Sequence, residues 1–92
     1  MIREEAKNII ETEKLQGYNL FENRPNKKEE VGICEKGGRW IVYVTTERTG
    51  IAAGSERVFD NESDALENFI KRLRADKRLR EIEKRRKERA KQ

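Results

Sequence analysis

Apolar residues arrive along this chain in two rhythms. Over residues 2–13, IREEAKNIIETE, the apolar positions Ile2, Ala6, Ile9 and Ile10 fall on one face of a helix. Glu4 and Glu5 in its first turn complement the positive end of the helix dipole, and Gly17 provides a stop. The rhythm then shortens to that of strands. Short strands are predicted around Tyr18–Glu22, Glu29–Lys36, Arg39 to about Glu47, and Glu56–Asp60. Pro25–Lys28 reads as a turn, and Gly37-Gly38 as a two-residue hairpin connection. The run GGRWIVYVTT at residues 37–46 is the most apolar in the chain. Alternation sends Trp40, Val42 and Val44 to one face of its strand and Ile41 and Tyr43 to the other, so both faces need cover.

The helical rhythm returns after Phe59. Asn61 is a good N-cap, and Glu62 and Asp64 place acid in the first turn. Leu66, Phe69, Ile70 and Leu73 lie at roughly 0°, 300°, 40° and 340° on a helical wheel, a tight stripe. Ala75, Leu79 and Ile82 lie at roughly 180°, 220° and 160°, on the opposite side of a straight helix. No Gly or Pro interrupts this segment, which predicts one unbroken helix running past the sheet. The architecture expected is α+β: an N-terminal helix, an antiparallel sheet of three or four strands, and a long C-terminal helix. The helices should share one side of the sheet. Ile9, Ile10, Trp40, Val42, Val44, Leu66, Phe69, Ile70 and Leu73 should form the core. The loop at 48–55 is the expected cover for the second face; the alternative is an exposed face that presents Ile41 and Tyr43 as an interaction surface.

Ninety-two residues, 34% of them hydrophobic and 43% charged, allow one domain with one modest core. We divide the chain into a domain at 1–75 and a charged helical extension at 76–92. Residues 71–92 carry twelve Lys or Arg against four Asp or Glu, a net +8, whereas residues 1–70 carry −4. The basic character therefore belongs to one segment, and the body is mildly acidic. No apolar run approaches a membrane span, and acids interrupt the first fifteen residues, unlike a signal peptide. A cytoplasmic protein that engages no membrane is expected.

Chemistry-bearing motifs are scarce. The chain has no His, the commonest general base and metal ligand. Its single Cys34 sits in a strand beside Ile33 and reads as a packing residue. Neither GICEKGG nor GIAAGS has the spacing and Lys of a phosphate loop. No enzymatic activity and no cofactor or metal are expected. The basic segment KRLRADKRLREIEKRRKERAKQ suggests phosphate contacts. Its interleaved acids instead favour a solvated helix with pairs Asp76–Arg80, Glu81–Arg85 and Glu83–Lys87, and it offers no aromatic for base stacking. The order α-β-β-β-α is also that of double-stranded RNA-binding domains. Here, however, the second helix begins NESDALEN, acidic where those domains are basic.

Three stretches together resemble a known group: ENRPNKKEEVGI (22–33), GGRWIVYVTTERTG (37–50) and FDNESDALENFIKRLR (59–74). They are similar to immunity proteins of bacterial polymorphic toxin systems, most nearly the group called immunity protein 59, over about residues 18–74. The resemblance implies an inhibitor that binds a cognate toxin, made beside it, rather than an enzyme. A small nucleic-acid-binding protein acting through the basic helix is the alternative. From side-chain type and expected exposure, partner contacts are expected at Tyr43, Glu47, Arg48, Glu29 and Glu30. Leu79 and Ile82 are expected to meet the partner or to form a weak homodimer through the C-terminal helix.

Overall fold

The computed structural model describes residues 1–90. Helix α1 spans Arg3–Glu13, strands β1–β4 span Tyr18–Leu20, Val31–Lys36, Arg39–Val44 and Arg57–Phe59, and helix α2 spans Glu62–Ala90. The strands form one sheet in the order β1-β2-β3-β4. This is the α+β arrangement expected, with one difference of direction. β2, β3 and β4 run antiparallel, but β1 runs parallel to β2, so the sheet is mixed. The reason lies in the connection. Phe21–Glu30 is too long for a tight hairpin and returns to the start of β2, as a parallel pair requires.

The Gly37-Gly38 turn fixes the β2–β3 register, with both glycines at positive φ. Ile33 then lies opposite Val42, and Gly32 opposite Tyr43. Both helices cover the face that carries Ile33 and Val42. The α2 stripe Leu66, Phe69, Ile70 and Leu73 is buried there with Ala6 and Ile10 of α1. Each such large apolar side chain contributes roughly 1.5–3 kcal/mol. Tyr18 of β1 meets Phe69 edge-on, with ring centroids 6.4 Å apart. Ile9, Trp40 and Val44, expected inside, are half-buried against this core. Ala65, Leu15 and Val31 complete it.

The second face is covered in part, and not by the loop at 48–55. That loop continues beside β3 instead: Ala52 N–H donates to Val44 C=O at 2.8 Å, and Thr45 bridges Ile51, which stays exposed. The β1–β2 crossover covers the Tyr43 end of this face, whereas Ile41 is half-buried and its partner Val58 is exposed. Tyr43 packs against Gly32, where a side chain would overlap its ring, and its hydroxyl donates to Asn26 Oδ1 of the crossover at 3.1 Å. Thr45 Oγ1 donates to Lys27 C=O at 2.7 Å. Tyr43 is left only 6% exposed.

Asn61 caps α2 as expected. Its Oδ1 accepts from the Asp64 N–H at 2.8 Å, and its Nδ2 donates back to Asp64 Oδ2. The helix then runs 29 residues without a break, about 43 Å. The molecule is correspondingly elongated, 52 × 29 × 21 Å. Apolar burial on α2 ends at Leu73, and residues 78–88 are exposed on every side. Among the described residues no helix is long and apolar enough to cross a membrane.

Candidate partner-binding surface

Beyond Leu73 the core-facing side of α2 is continued by Lys77 and Arg80, at roughly 20° and 320° on the wheel used above. Lys77 Nζ donates to the Glu13 carbonyl, at the C-terminal end of α1. A cation there complements the negative end of the helix dipole. Arg74 forms a two-pronged ion pair with Glu13, at 2.9 and 2.6 Å, which lowers the carboxyl's pKa chiefly through the hydrogen bond. Arg80 pairs with Asp76 at 3.0 Å and reaches the Glu29 carbonyl at 3.4 Å. Its guanidinium also lies against Gly17, where a Cβ would come 2.7 Å from Nη2. Three of the basic residues in this segment thus hold the helix to the body. Of the i,i+4 pairs expected, Asp76–Arg80 closes; Glu81–Arg85 and Glu83–Lys87 are not within ion-pair distance among the described residues.

The overhang forms a cleft with the end of the sheet. Asp76, Leu79, Arg80 and Glu83 line one wall, and Glu29, Val31, Val44 and Thr45 the other, around a volume of about 300 Å³. Leu79 is 59% exposed at this opening. The turn after β3 lies at the same end of the sheet. Thr46 C=O accepts from the N–H groups of Glu29 and Thr49, at 3.1 and 3.0 Å, and Thr46 Oγ1 accepts from the Arg48 N–H. Exposed Glu29 lines the cleft with Leu79, and exposed Glu47 and Arg48 lie in this turn at the same end of the sheet. Sequence alone had placed these residues in separate elements.

Two of the expected contact residues belong to the interior. Tyr43 lies under the crossover, and burial pushes its phenol pKa up. Glu30 is 2% exposed. Its carboxylate accepts from Arg24 Nη1 and Nη2 at 3.1 and 3.0 Å and from the Lys27 N–H at 2.9 Å. Burial pushes its pKa up, but the Arg24 and Lys27 contacts outweigh that and hold it below the ordinary carboxylate range. The expectation that Tyr43 and Glu30 face solvent is corrected on both counts. The stripe on α2 also divides: Leu79 borders the cleft, whereas Ile82 lies outside it and Ala75 lines a separate hollow with Met1 and Ile70.

The cleft walls Val31 and Val44, and the inward-turning Arg80, were not singled out as contact residues. Arg80 had a signal, because extending the apolar stripe along the wheel arrives at it. The valines had none beyond their place near strand ends. Cys34 is half-buried, and burial raises its thiol pKa, which disfavours the reactive thiolate. Among the described residues no group of three or more His, Cys, Asp or Glu is placed to hold a metal ion. No family model, curated protein or solved structure matches this chain.

Proposed function

We propose that the chain is a cytoplasmic immunity protein that neutralises a cognate bacterial toxin by direct protein–protein binding and catalyses nothing itself. The observation that carries this reading is exposed Leu79 at a cleft lined by Glu29, Asp76, Arg80 and Glu83, with exposed Glu47 and Arg48 in the turn at the same end of the sheet. An apolar side chain ringed by charges is the common make-up of a binding surface, with Arg among its frequent anchors. The resemblance over residues 18–74 supplies the kind of partner. The acidic body favours a basic one, since complementary charge steers association.

Nucleic-acid binding is the second reading, favoured by exposed Arg78, Lys84, Arg85, Arg86 and Lys87 on the overhang. It is the weaker one, because Arg74, Lys77 and Arg80 are already engaged with the body. A homodimer through Leu79 and Ile82 is weaker still, since these two residues do not share the cleft.

Co-expression with the product of the adjacent gene tests the proposal. The chain should relieve that product's toxicity and co-purify with it. Arg48→Glu combined with Leu79→Glu should reduce both while circular dichroism is unchanged, and deletion of residues 81–92 should leave both intact. Absence of co-purification and of growth rescue overturns the reading.

A further inference from the structure

A larger hollow than the cleft lies elsewhere, between α1 and the outer strand β1. Its volume is about 660 Å³, and its lining is mixed: Tyr18 and Leu20, over buried Ile10 and Leu15, form an apolar floor rimmed by Lys7, Glu11, Lys14, Gln16 and Glu22. The β1 edge beside it is open. Gly17 C=O and Phe21 N–H bond to β2, so alternation aims the backbone groups of Tyr18 and Leu20 at the opposite edge. The Tyr18 carbonyl accepts from Arg24 Nη2 at 3.1 Å. The Tyr18 N–H and both Leu20 groups meet no neighbouring strand, because β1 is outermost. An open strand edge along a groove with an apolar floor and a polar rim is an arrangement that takes up an extended peptide as an added strand.

Charge indicates what the segment carries next. Lys14 and Gln16, at the Tyr18 end of the groove, also line an adjoining hollow of about 250 Å³ under the α2 overhang. Lys77, Arg80 and Lys84 line that hollow, against Asp76 and Glu81. With Lys14 this makes four cations to two acids; Lys77 and Arg80 are engaged with the body, which leaves Lys14 and Lys84 as the cations that meet a ligand. Antiparallel pairing is the more stable per residue, and it would bring the C-terminal end of an added strand to this hollow.

We propose that the groove between α1 and β1 binds an extended segment of a partner protein, apolar at alternate positions, as a fifth strand whose C-terminal acidic residues enter the basic hollow beneath α2. The identification of that partner as the toxin rests on the function proposed above; the groove does not. β1 is short and Arg24 blunts its edge, so the segment alone binds weakly and acts with the cleft as a second point of attachment.

The test uses the full chain and a synthetic peptide, acetyl-Thr-Val-Thr-Val-Asp-Asp, with a Lys-Lys counterpart and a version N-methylated at alternate residues. Amide NMR should show the Tyr18 and Leu20 resonances shifting with the acidic peptide. Affinity should be about tenfold lower for the Lys-Lys peptide, and N-methylation should abolish binding. Lys84→Glu, at an exposed helical position, should erase the preference for acid without altering the spectrum of the free protein. Equal binding of the two charge forms, or unshifted Tyr18 and Leu20, overturns the proposal. If the adjacent gene product binds but the peptide leaves those amides unshifted, this inference fails and the function stands. If the peptide behaves as expected and the gene product does not bind, the reverse holds.

Discussion

Glu30 is a carboxylate enclosed by protein and held by two Arg24 nitrogens and the Lys27 amide. Removing it leaves Arg24 and the turn without their shared acceptor. Glu30→Ala should cost about 1.5–3 kcal/mol in urea unfolding. Its folded pKa lies below its unfolded one, so its stabilising effect is present above the ordinary carboxylate pKa. That effect is lost as pH falls from there through the folded value. Glu30→Gln should flatten this part of the acid limb in unfolding curves measured from pH 7 downward; an unchanged limb would mean that other carboxylates carry it. Gly32 is the second decisive residue. A methyl there would overlap Tyr43, so Gly32→Ala should cost about 1–3 kcal/mol, with Gly32→Ala/Tyr43→Ala losing less than the sum of the single changes. Additive losses in the double-mutant cycle would remove the contact from the account. This pairing was legible in advance: a two-residue turn at Gly37-Gly38 necessarily sets Gly32 opposite Tyr43. Glu30 was not, because its burial depends on Arg24 and on a crossover whose path no local pattern specifies.

At the scale of elements, α2 has two halves built on different physics. The first is held by Leu66, Phe69, Ile70 and Leu73, whose period alone predicted their burial. The second is held by Lys77 and Arg80 on backbone carbonyls. Charge counts had marked those residues only as part of a basic tail. Truncation after Arg80 should therefore leave the urea midpoint almost unchanged, whereas truncation after Ala75 should lower it. Equal loss from both truncations would mean that the solvated turns, not the carbonyl contacts, stabilise the helix end. The parallel β1 has the same lesson. Periodicity located the strand but could not give its direction, which follows from the length and route of the crossover.

On the scale of the whole molecule, the helices occupy one face of the sheet, the crossover covers the Tyr43 end of the other, and the basic helix projects past both. Of the residues expected from side-chain type to form the surface, Glu29, Glu47 and Arg48 are exposed at one end of the sheet, whereas Tyr43 and Glu30 are interior. Tertiary proximity made the difference, since the cleft joins residues about fifty positions apart. The central claim is that this end of the molecule binds a protein and that the distal basic helix is not a nucleic-acid module. The most direct measurement is titration calorimetry of the purified chain against the adjacent gene product, with the full chain and with a form lacking residues 81–92. The account predicts a 1:1 complex in both cases, with similar affinity and a clear loss on Arg48→Glu/Leu79→Glu. It is contradicted if no complex forms while the full chain binds RNA with a steep inverse dependence on salt that disappears with residues 81–92.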